Sequence, residues 1–233
     1  MDTDLVRPAA DASLEWGGRR FSAGDPIVTY VARNLEPYRG FHVFVRALAD
    51  LLSRHPGVQV LIVGGNEVSY GTPAPHREGW KAQLMDELSR NGTPLDAQRV
   101  HFLGKLSHGD YLRVLQVSAA HVYLTYPFVL SWSMLEAMAA GCAVVGSNTA
   151  PVTEVLTDRV NGRLVDFFDR EHLVSVVLEV LGNPQRNRAL REAARATVVE
   201  RFDLRRQCLP AGLALIRATA DQGRAGMGGI REV

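Results

Sequence analysis

Short runs of apolar residues alternate along this chain with longer amphipathic segments, and few folds accommodate this alternation. The apolar runs predict strands at Ile27–Ala32, Val58–Val63, Arg99–Leu103, His121–Thr125, Cys142–Ser147 and Arg163–Asp166. Apolar residues recur at helical spacing between them, at Phe41–Arg54, Trp80–Asn91, Tyr111–Gln116, Ser133–Ala140 and Glu171–Leu181. Strands that are apolar almost throughout need cover on both faces, which the intervening helices can provide. The sequence therefore predicts an α/β domain with a doubly wound parallel sheet.

The predicted domain covers residues 26–220. It begins after the turn signal Ala23-Gly24-Asp25-Pro26 and includes two helices beyond the last strand, Gln185–Arg201 and Leu204–Ala220. Residues 1–25 show no clear period and are predicted to be a lead-in rather than a folded unit. Residues 221–233 contain several glycines and are predicted to form a mobile tail.

Charge and cysteine content exclude several classes of protein. The chain has 26 Lys and Arg residues and 25 Asp and Glu residues. Its net charge is therefore too small to attract nucleic acid or anionic lipid electrostatically. Its two cysteines, Cys142 and Cys208, are too few for a disulfide-stapled domain and suit a reducing compartment. No apolar run approaches the ~20 residues of a membrane span, and the acidic Met-Asp-Thr-Asp start lacks the basic region of a signal peptide. We expect a cytoplasmic protein without a nucleic-acid partner, and the sequence leaves its oligomeric state open.

Ligands of such sheets bind where the strands end and the loops enter helix N-termini. The loop after the first strand contains Arg33 and Arg39, followed by Gly40 where the next helix begins. Two converging arginines could form a phosphate clamp, since a guanidinium can bind two phosphate oxygens and stays charged. Ordinary surface arginines are the alternative. Gly64-Gly65, after the second strand, would let the backbone approach a ligand, although paired glycines are also common in turns.

The segment 126–145 contains the densest group of candidate side chains. A loop with hydroxyl and aromatic residues follows a strand, and the short helix after it contains Glu136. A carboxylate at a helix start beside a cleft could accept hydrogen bonds from ribose hydroxyls. Alternatively, Ser133 caps the helix and Glu136 closes a capping box with it. The local spacing does not separate these two interpretations.

A set of motifs follows in order between residue 27 and about residue 203. They are Leu135–Ser147 (LEAMAAGCAVVGS), Ala150–Val155 (APVTEV) and Asn161–Val165 (NGRLV), supported by Ala32-Arg33 with Arg39-Gly40, Ile62–Gly65 (IVGG) and Val100–Gly104 (VHFLG). In this order they resemble the C-terminal, donor-binding half of retaining glycosyltransferases of family 4 (group 1), which have the GT-B fold. The usual dinucleotide and P-loop fingerprints are missing from the sequence, so a dehydrogenase or a P-loop NTPase is not favoured.

The resemblance implies a role for each candidate residue. Arg33 and Arg39 would be the catalytic pair that binds and stabilises the leaving diphosphate, and Glu136 would bind the ribose hydroxyls. The backbone near Phe102–Gly104 would contact the base, and the amides of Val129–Ser131 would face the phosphate or sugar. The implied donor-binding residues are Gly40, Gly64, Gly65, Phe102, Gly104, Val129, Leu130, Ser131, Ser133 and Glu136.

The implied reaction is the transfer of a hexosyl group from a nucleoside-diphosphate sugar. It would need no metal and would retain the anomeric configuration of the sugar. UDP or GDP would be the product, and no metal or other cofactor is expected. The sequence names neither the sugar, nor the base, nor the acceptor.

The sequence departs from the family pattern at the sugar-binding loop. Phe128 occupies the position of the first glutamate of the family's E-x7-E spacing, and Val129 and Ser131 replace glycines. This predicts an unusual donor, a different contact group or a degenerate site. The segment 67–77, with two prolines and Tyr70, is predicted to be an insertion over the cleft; a plain surface loop is the alternative.

Met1–Pro8 resembles the family segment that enters the second domain, so residues 1–25 would be an interdomain lead-in. The acceptor-binding N-terminal domain would then lie outside this chain, and the chain alone is expected to be inactive. Two alternatives remain open: a nucleotide-binding or interaction module without catalysis, and a nucleotide-sugar epimerase of the same GT-B architecture. The Leu135–Ser147 motif fits transferases better than epimerases.

Overall fold

A six-stranded parallel sheet forms the centre of the protein. The structure, a computed structural model, describes residues 1–227, apart from the side chains of Pro184 and residues 222–227. A hairpin of β1 (Ser13–Trp16) and β2 (Arg19–Ser22) precedes the sheet, whose strands are β3 (Ile27–Asn34), β4 (Gln59–Gly65), β5 (Val100–Gly104), β6 (Ala120–Tyr123), β7 (Val144–Ser147) and β8 (Arg163–Val165). They lie in the order β5-β4-β3-β6-β7-β8 with every pair parallel, which confirms the predicted doubly wound sheet.

Helices cover both faces of this sheet. They are α1 (Phe41–Arg54), α2 (Trp80–Arg90), α3 (His108–Gln116), α4 (Trp132–Ala139), α5 (Ala150–Thr153), α6 (Arg170–Gly182), α7 (Pro184–Phe202) and α8 (Leu209–Met227). Helices α1, α2 and α6 share one apolar core with the strands, and α4 and α7 pack into a second. None of the helices in the described part of the chain is long and apolar enough to cross a membrane.

The helix bounds differ from the prediction mainly at capped ends. Helix α3 begins at His108 rather than Tyr111, because Ser107 is its N-cap and accepts a hydrogen bond from the Asp110 amide. The predicted helix Leu204–Ala220 is a π-helical turn, Leu204–Cys208, followed by α8, which runs on to Met227. Residues 228–233 of the predicted tail lie outside the described residues.

Residues 1–25, predicted to be a lead-in rather than a folded unit, contain a β-hairpin. Strands β1 and β2 pair around Gly17-Gly18, whose φ angles of 56° and 74° favour glycine. Leu14 and Phe21 are buried in a third apolar core beneath this hairpin. Each of these strands has four residues and one buried apolar side chain. Such short segments show no recognisable alternation of apolar and polar residues, so the sequence pattern did not predict the hairpin.

A buried polar network across β3 and β6 leads to a pH prediction. His121 has no exposed surface, and its Nδ1 lies 2.8 Å from Thr29 Oγ1, which lies 2.7 Å from Ser118 Oγ. Burial lowers the pKa of His121 to about 3, against ~6.5 in an unfolded chain. The unfolded chain therefore binds the proton more readily between these values, and stability should fall as the pH decreases below ~6.5, by up to ~1.4 kcal/mol per pH unit.

Urea unfolding between pH 4 and pH 7 tests this prediction with the His121→Asn variant. The variant should show a smaller pH slope than the wild type. A residual slope is expected, because burial also lowers the pKa of His42, to about 4. An unchanged slope would show that His121 does not remain neutral in the folded protein.

Candidate functional site

The candidate site lies where the direction of strand addition reverses. From β3 the chain adds β4 and β5 on one side, and β6 then pairs with the other side of β3 and is followed by β7 and β8. The loops after β3 and β6 meet here, and the Tyr126 amide donates to the Tyr38 carbonyl at 3.1 Å. Such a switch point leaves a crevice at the carboxyl edge of the sheet, where ligands of α/β proteins bind.

Arg39 lies at this switch point, between the loops that follow β3 and β6. The residue is only 7% exposed, and its Nη1 donates to Thr125 Oγ1 (3.1 Å), the Val129 carbonyl (3.1 Å) and Tyr123 Oη (3.3 Å). These acceptors follow β6 or lie at its end, so the cation joins the two sides of the switch point. All three bonds use one guanidinium nitrogen, and the described hydrogen bonds leave Nε and Nη2 unassigned.

Aromatic rings pack around the Arg39 guanidinium. Its Cζ lies 5.4 Å from the centroid of the Tyr70 ring and 5.5 Å from that of Phe128, within the range of a cation–π interaction. Phe128 also contacts Tyr38, with centroids 6.0 Å apart and planes at 80°. The residue at the family's first glutamate position thus supplies a ring face beside the arginine, instead of a carboxylate.

The segment 67–77 is attached to the site through Glu36. The Glu36 side chain is fully buried, and its Oε2 accepts hydrogen bonds from the amides of Ser69 (3.3 Å), Tyr70 (3.2 Å) and Gly71 (3.1 Å). This anchor holds the Tyr70 ring over the arginine. The structure therefore ties residues 69–71 to the Arg39 site, while the placement of the whole segment over a ligand cleft stays a prediction.

Arg33 lies apart from this group of contacts. It is exposed near the end of β3, between the buried residues Ala32 and Asn34. Its side chain takes part in none of the hydrogen bonds or ion pairs described for residues 1–227. No described hydrogen bond links it to the partners of Arg39, and its role in binding diphosphate remains a prediction.

A cavity of about 260 Å³ lies at the carboxyl ends of β4 and β5. Four of the predicted residues, Gly64, Gly65, Phe102 and Gly104, line it together with Leu35, Asn66, Lys81 and Leu103. A Cβ on Gly64 would lie 2.8 Å from the Ala32 carbonyl oxygen, so the strands approach closely only with glycine here. Lys81 Nζ lies 4.3 Å from the centroid of the Phe102 ring and places a positive charge at this cavity.

Gly40 fixes the direction in which α1 leaves the site. Its φ is 72°, in the left-handed region, and it forms the N-cap of α1 directly after Arg39. A Cβ at this position would collide with the Cβ of Leu124, which is buried. The free amides of the α1 N-terminus therefore begin beside the arginine, an arrangement that favours anions.

The alternative interpretation, in which Ser133 caps the helix and Glu136 closes a capping box, does not fit the structure. Ser131 is the N-cap of α4 and accepts from the Ser133 amide at 3.4 Å. The Ser131 amide, predicted to face the phosphate or sugar, instead donates to Tyr123 Oη at 2.8 Å. The exposed Val129 and the half-buried Leu130 lie in the same loop.

The Glu136 carboxylate contacts two side chains of α3 that the sequence reasoning missed. Tyr111 Oη donates to Glu136 Oε2 at 2.7 Å, and His108 Nε2 lies 3.9 Å from Oε1. Neither Tyr111 nor His108 was predicted to belong to the site. Ser107 as an N-cap was the available signal, because a helix that starts there places positions 108 and 111 on one face.

Comparisons with known proteins show the family and the fold of the chain. The family model described as "Glycosyl transferases group 1" matches residues 18–197. The chain is 32% identical over 163 residues to the phosphatidyl-myo-inositol mannosyltransferase of Mycolicibacterium smegmatis, covering 68% of this chain and 36% of that protein.

Two solved structures show the same fold. The sucrose-phosphate synthase of Thermosynechococcus elongatus matches with a TM-score of 0.74 and 25% identity, over 95% of this chain and 51% of that one. Anabaena HepE, solved in complex with UDP, matches with a TM-score of 0.71 and 18% identity, over 95% of this chain and 56% of that one. The chain thus spans about half or less of the length of these proteins. The resemblance found in the sequence is confirmed, and the chain belongs to the group 1 glycosyltransferase family.

Proposed function

We propose that residues 26–220, with the hairpin packed against them, form the donor-binding domain of a retaining glycosyltransferase. The whole enzyme would transfer a sugar from a nucleoside-diphosphate sugar to an acceptor. The observation that carries this proposal is the position of Arg39, largely buried at the switch point of the sheet beside the N-terminus of α1. The match to a protein solved with UDP supports a nucleotide ligand.

Each part of the site has a chemical role in this proposal. Arg39 and the α1 amides bind the diphosphate and stabilise the charge that develops on it as the leaving group. Groups of this kind, fixed in place before the reaction, are worth about 2.7–4 kcal/mol each. The glycine-lined cavity accepts the base beside Phe102, and Glu136 accepts hydrogen bonds from the ribose. In this proposal the acceptor site and the rest of the catalytic machinery lie outside residues 26–220.

A nucleotide-binding module without catalysis is the second candidate. The observation that favours it is Phe128, because a phenyl ring cannot accept a hydrogen bond from a sugar hydroxyl as a carboxylate can. Both candidates retain the diphosphate site around Arg39. They differ in whether the full-length protein transfers sugar.

Calorimetric titration of the chain with UDP, GDP and ADP tests the shared part of the proposal. We expect one of these nucleotides to bind and the corresponding nucleoside to bind more weakly, because the nucleoside lacks the charge that Arg39 binds. These 233 residues alone should transfer no sugar, because the proposal places the acceptor site outside them. Sugar transfer by the whole protein would support the glycosyltransferase function. If the whole protein binds nucleotide but transfers no sugar, the module without catalysis is favoured.

Two results would contradict the proposal. If none of the three diphosphates binds, the donor site has been assigned wrongly. If these 233 residues alone catalyse turnover with any acceptor, the division into two halves is wrong.

A further inference from the structure

The hydrogen bond between Tyr111 and Glu136 joins two helices that are distant in sequence. Tyr111 lies on α3, between β5 and β6, and Glu136 lies on α4, after β6. The phenol donates to Oε2 at 2.7 Å, the length of a charge-assisted O–H···O bond. Burial, with the nearby Glu136 charge adding to it, raises the pKa of Tyr111, so the phenol stays protonated and can only donate to this carboxylate.

The two oxygens of Glu136 have different environments. Oε2 is held by Tyr111, whose ring packs against the apolar core of α4 and α7. Oε1 faces the more exposed side, where His108 Nε2 lies 3.9 Å away and the His108 side chain is 57% exposed. Oε1 therefore remains available to a ligand, whereas Oε2 is already occupied.

A ligand that binds to a freely rotating glutamate side chain must order that side chain, which costs conformational entropy. The Glu136 side chain has three rotatable bonds, and fixing them at the moment of binding would weaken ligand binding. A bond to a phenol packed in the core fixes them in advance. The histidine, at 3.9 Å and largely in solvent, is too far away to do this by a direct hydrogen bond.

We propose that Tyr111 is a positioning residue that holds Glu136 so that its free oxygen accepts the ribose hydroxyls of the donor. The inference rests on the proposed function, because it assumes that a ribonucleotide occupies the site. It gives the site a preference for ribonucleotides over nucleotides that lack the 2′ and 3′ hydroxyls.

The Tyr111→Phe variant tests this role, since it keeps the ring in the core and removes only the hydroxyl. The affinity for the diphosphate that the wild type binds best should fall about three- to tenfold. The affinity for its 2′,3′-dideoxy analogue should not change, because that ligand does not use Glu136. A merely structural role would weaken both ligands alike.

A double-mutant cycle with Glu136→Gln supplies the second readout. In the Glu136→Gln background the further change Tyr111→Phe should have a smaller effect on ribonucleotide affinity than in the wild type, because glutamine keeps only one acceptor oxygen and leaves no carboxylate for Tyr111 to position. His108→Ala is the matched variant on the same helix, and it should leave the preference for ribonucleotides in place.

The outcomes separate the two proposals. If the wild type binds a diphosphate and Tyr111→Phe keeps the full preference for ribose, the positioning role is wrong while the proposed function stands. If His108→Ala removes the preference and Tyr111→Phe does not, the histidine is the positioning residue. If the wild type binds no diphosphate, the proposed function fails, and the positioning role fails with it.

Discussion

The Arg39→Ala variant should lose about ten- to a hundredfold in affinity for a nucleoside diphosphate. A hydrogen bond to a charged group is worth about 1.5–3 kcal/mol, and each 1.4 kcal/mol is tenfold in affinity. The loss should be large because the guanidinium is held between the two sides of the switch point before any ligand arrives. Calorimetry with the diphosphate and with the nucleoside measures the effect, and only the diphosphate should be affected.

Two variants serve as controls for this prediction. Arg39→Lys keeps the charge but cannot donate in two directions from a planar group, so its loss should be smaller than that of Arg39→Ala. Arg33→Ala removes an exposed side chain that contacts none of the Arg39 partners in the described structure, and it should cost less again. Equal losses for nucleoside and diphosphate in Arg39→Ala would mean that the arginine supports the loops rather than the phosphates. A thermal melt of each variant shows whether the loops remain folded.

Elements with a strong period could be predicted from the sequence almost to the residue. Helix α1 begins and ends at the predicted Phe41 and Arg54, because its apolar residues form a continuous stripe against the sheet. The strands were placed to within a few residues for the same reason. The β1–β2 hairpin and the first turn of α3 were missed, since turn glycines and the Ser107 cap define them, and not a periodic pattern.

The residues of the candidate site also differ in how far the sequence could predict them. Gly64 and Gly65 were predicted from their position after a strand, and Phe102 and Gly104 from the family resemblance. The structure places all four at one cavity, because the carboxyl ends of neighbouring parallel strands meet at one edge. The partners of Glu136 and of the Arg39 guanidinium could not be predicted, because side chains far apart in sequence supply them. The spacing and composition of the sequence do not show that Tyr111 is the tyrosine that bonds to Glu136.

The switch point itself is a consequence of strand order, which the sequence did not specify. A chain of alternating strands and helices is compatible with several orders, and only the pairing of β6 with β3 creates the crevice. That pairing brings Thr125 and the Val129 carbonyl within reach of Arg39. Of the two arginines of the predicted clamp, Arg39 thus has its partners on the opposite loop, and the role of Arg33 stays a prediction.

The Gly40→Ala variant should lose about 2–5 kcal/mol of unfolding free energy. A left-handed backbone costs a residue with a Cβ about 1–2 kcal/mol, and forcing a methyl group into a packed core costs about 1–3 kcal/mol more. Both costs apply here, because φ is 72° and the new Cβ would collide with the buried Leu124. Chemical denaturation of the purified variant measures the loss.

Gly92→Ala separates the two contributions. Gly92 has a φ of 73°, nearly that of Gly40, but no heavy atom lies within 4 Å of the Cβ that alanine would add. Its loss should therefore be only the backbone cost of about 1–2 kcal/mol, and the difference between the two variants measures the collision with Leu124. Equal losses would show that the chain around Leu124 yields without cost. In that case the close approach at Gly40 would not be what holds the start of α1 beside Arg39.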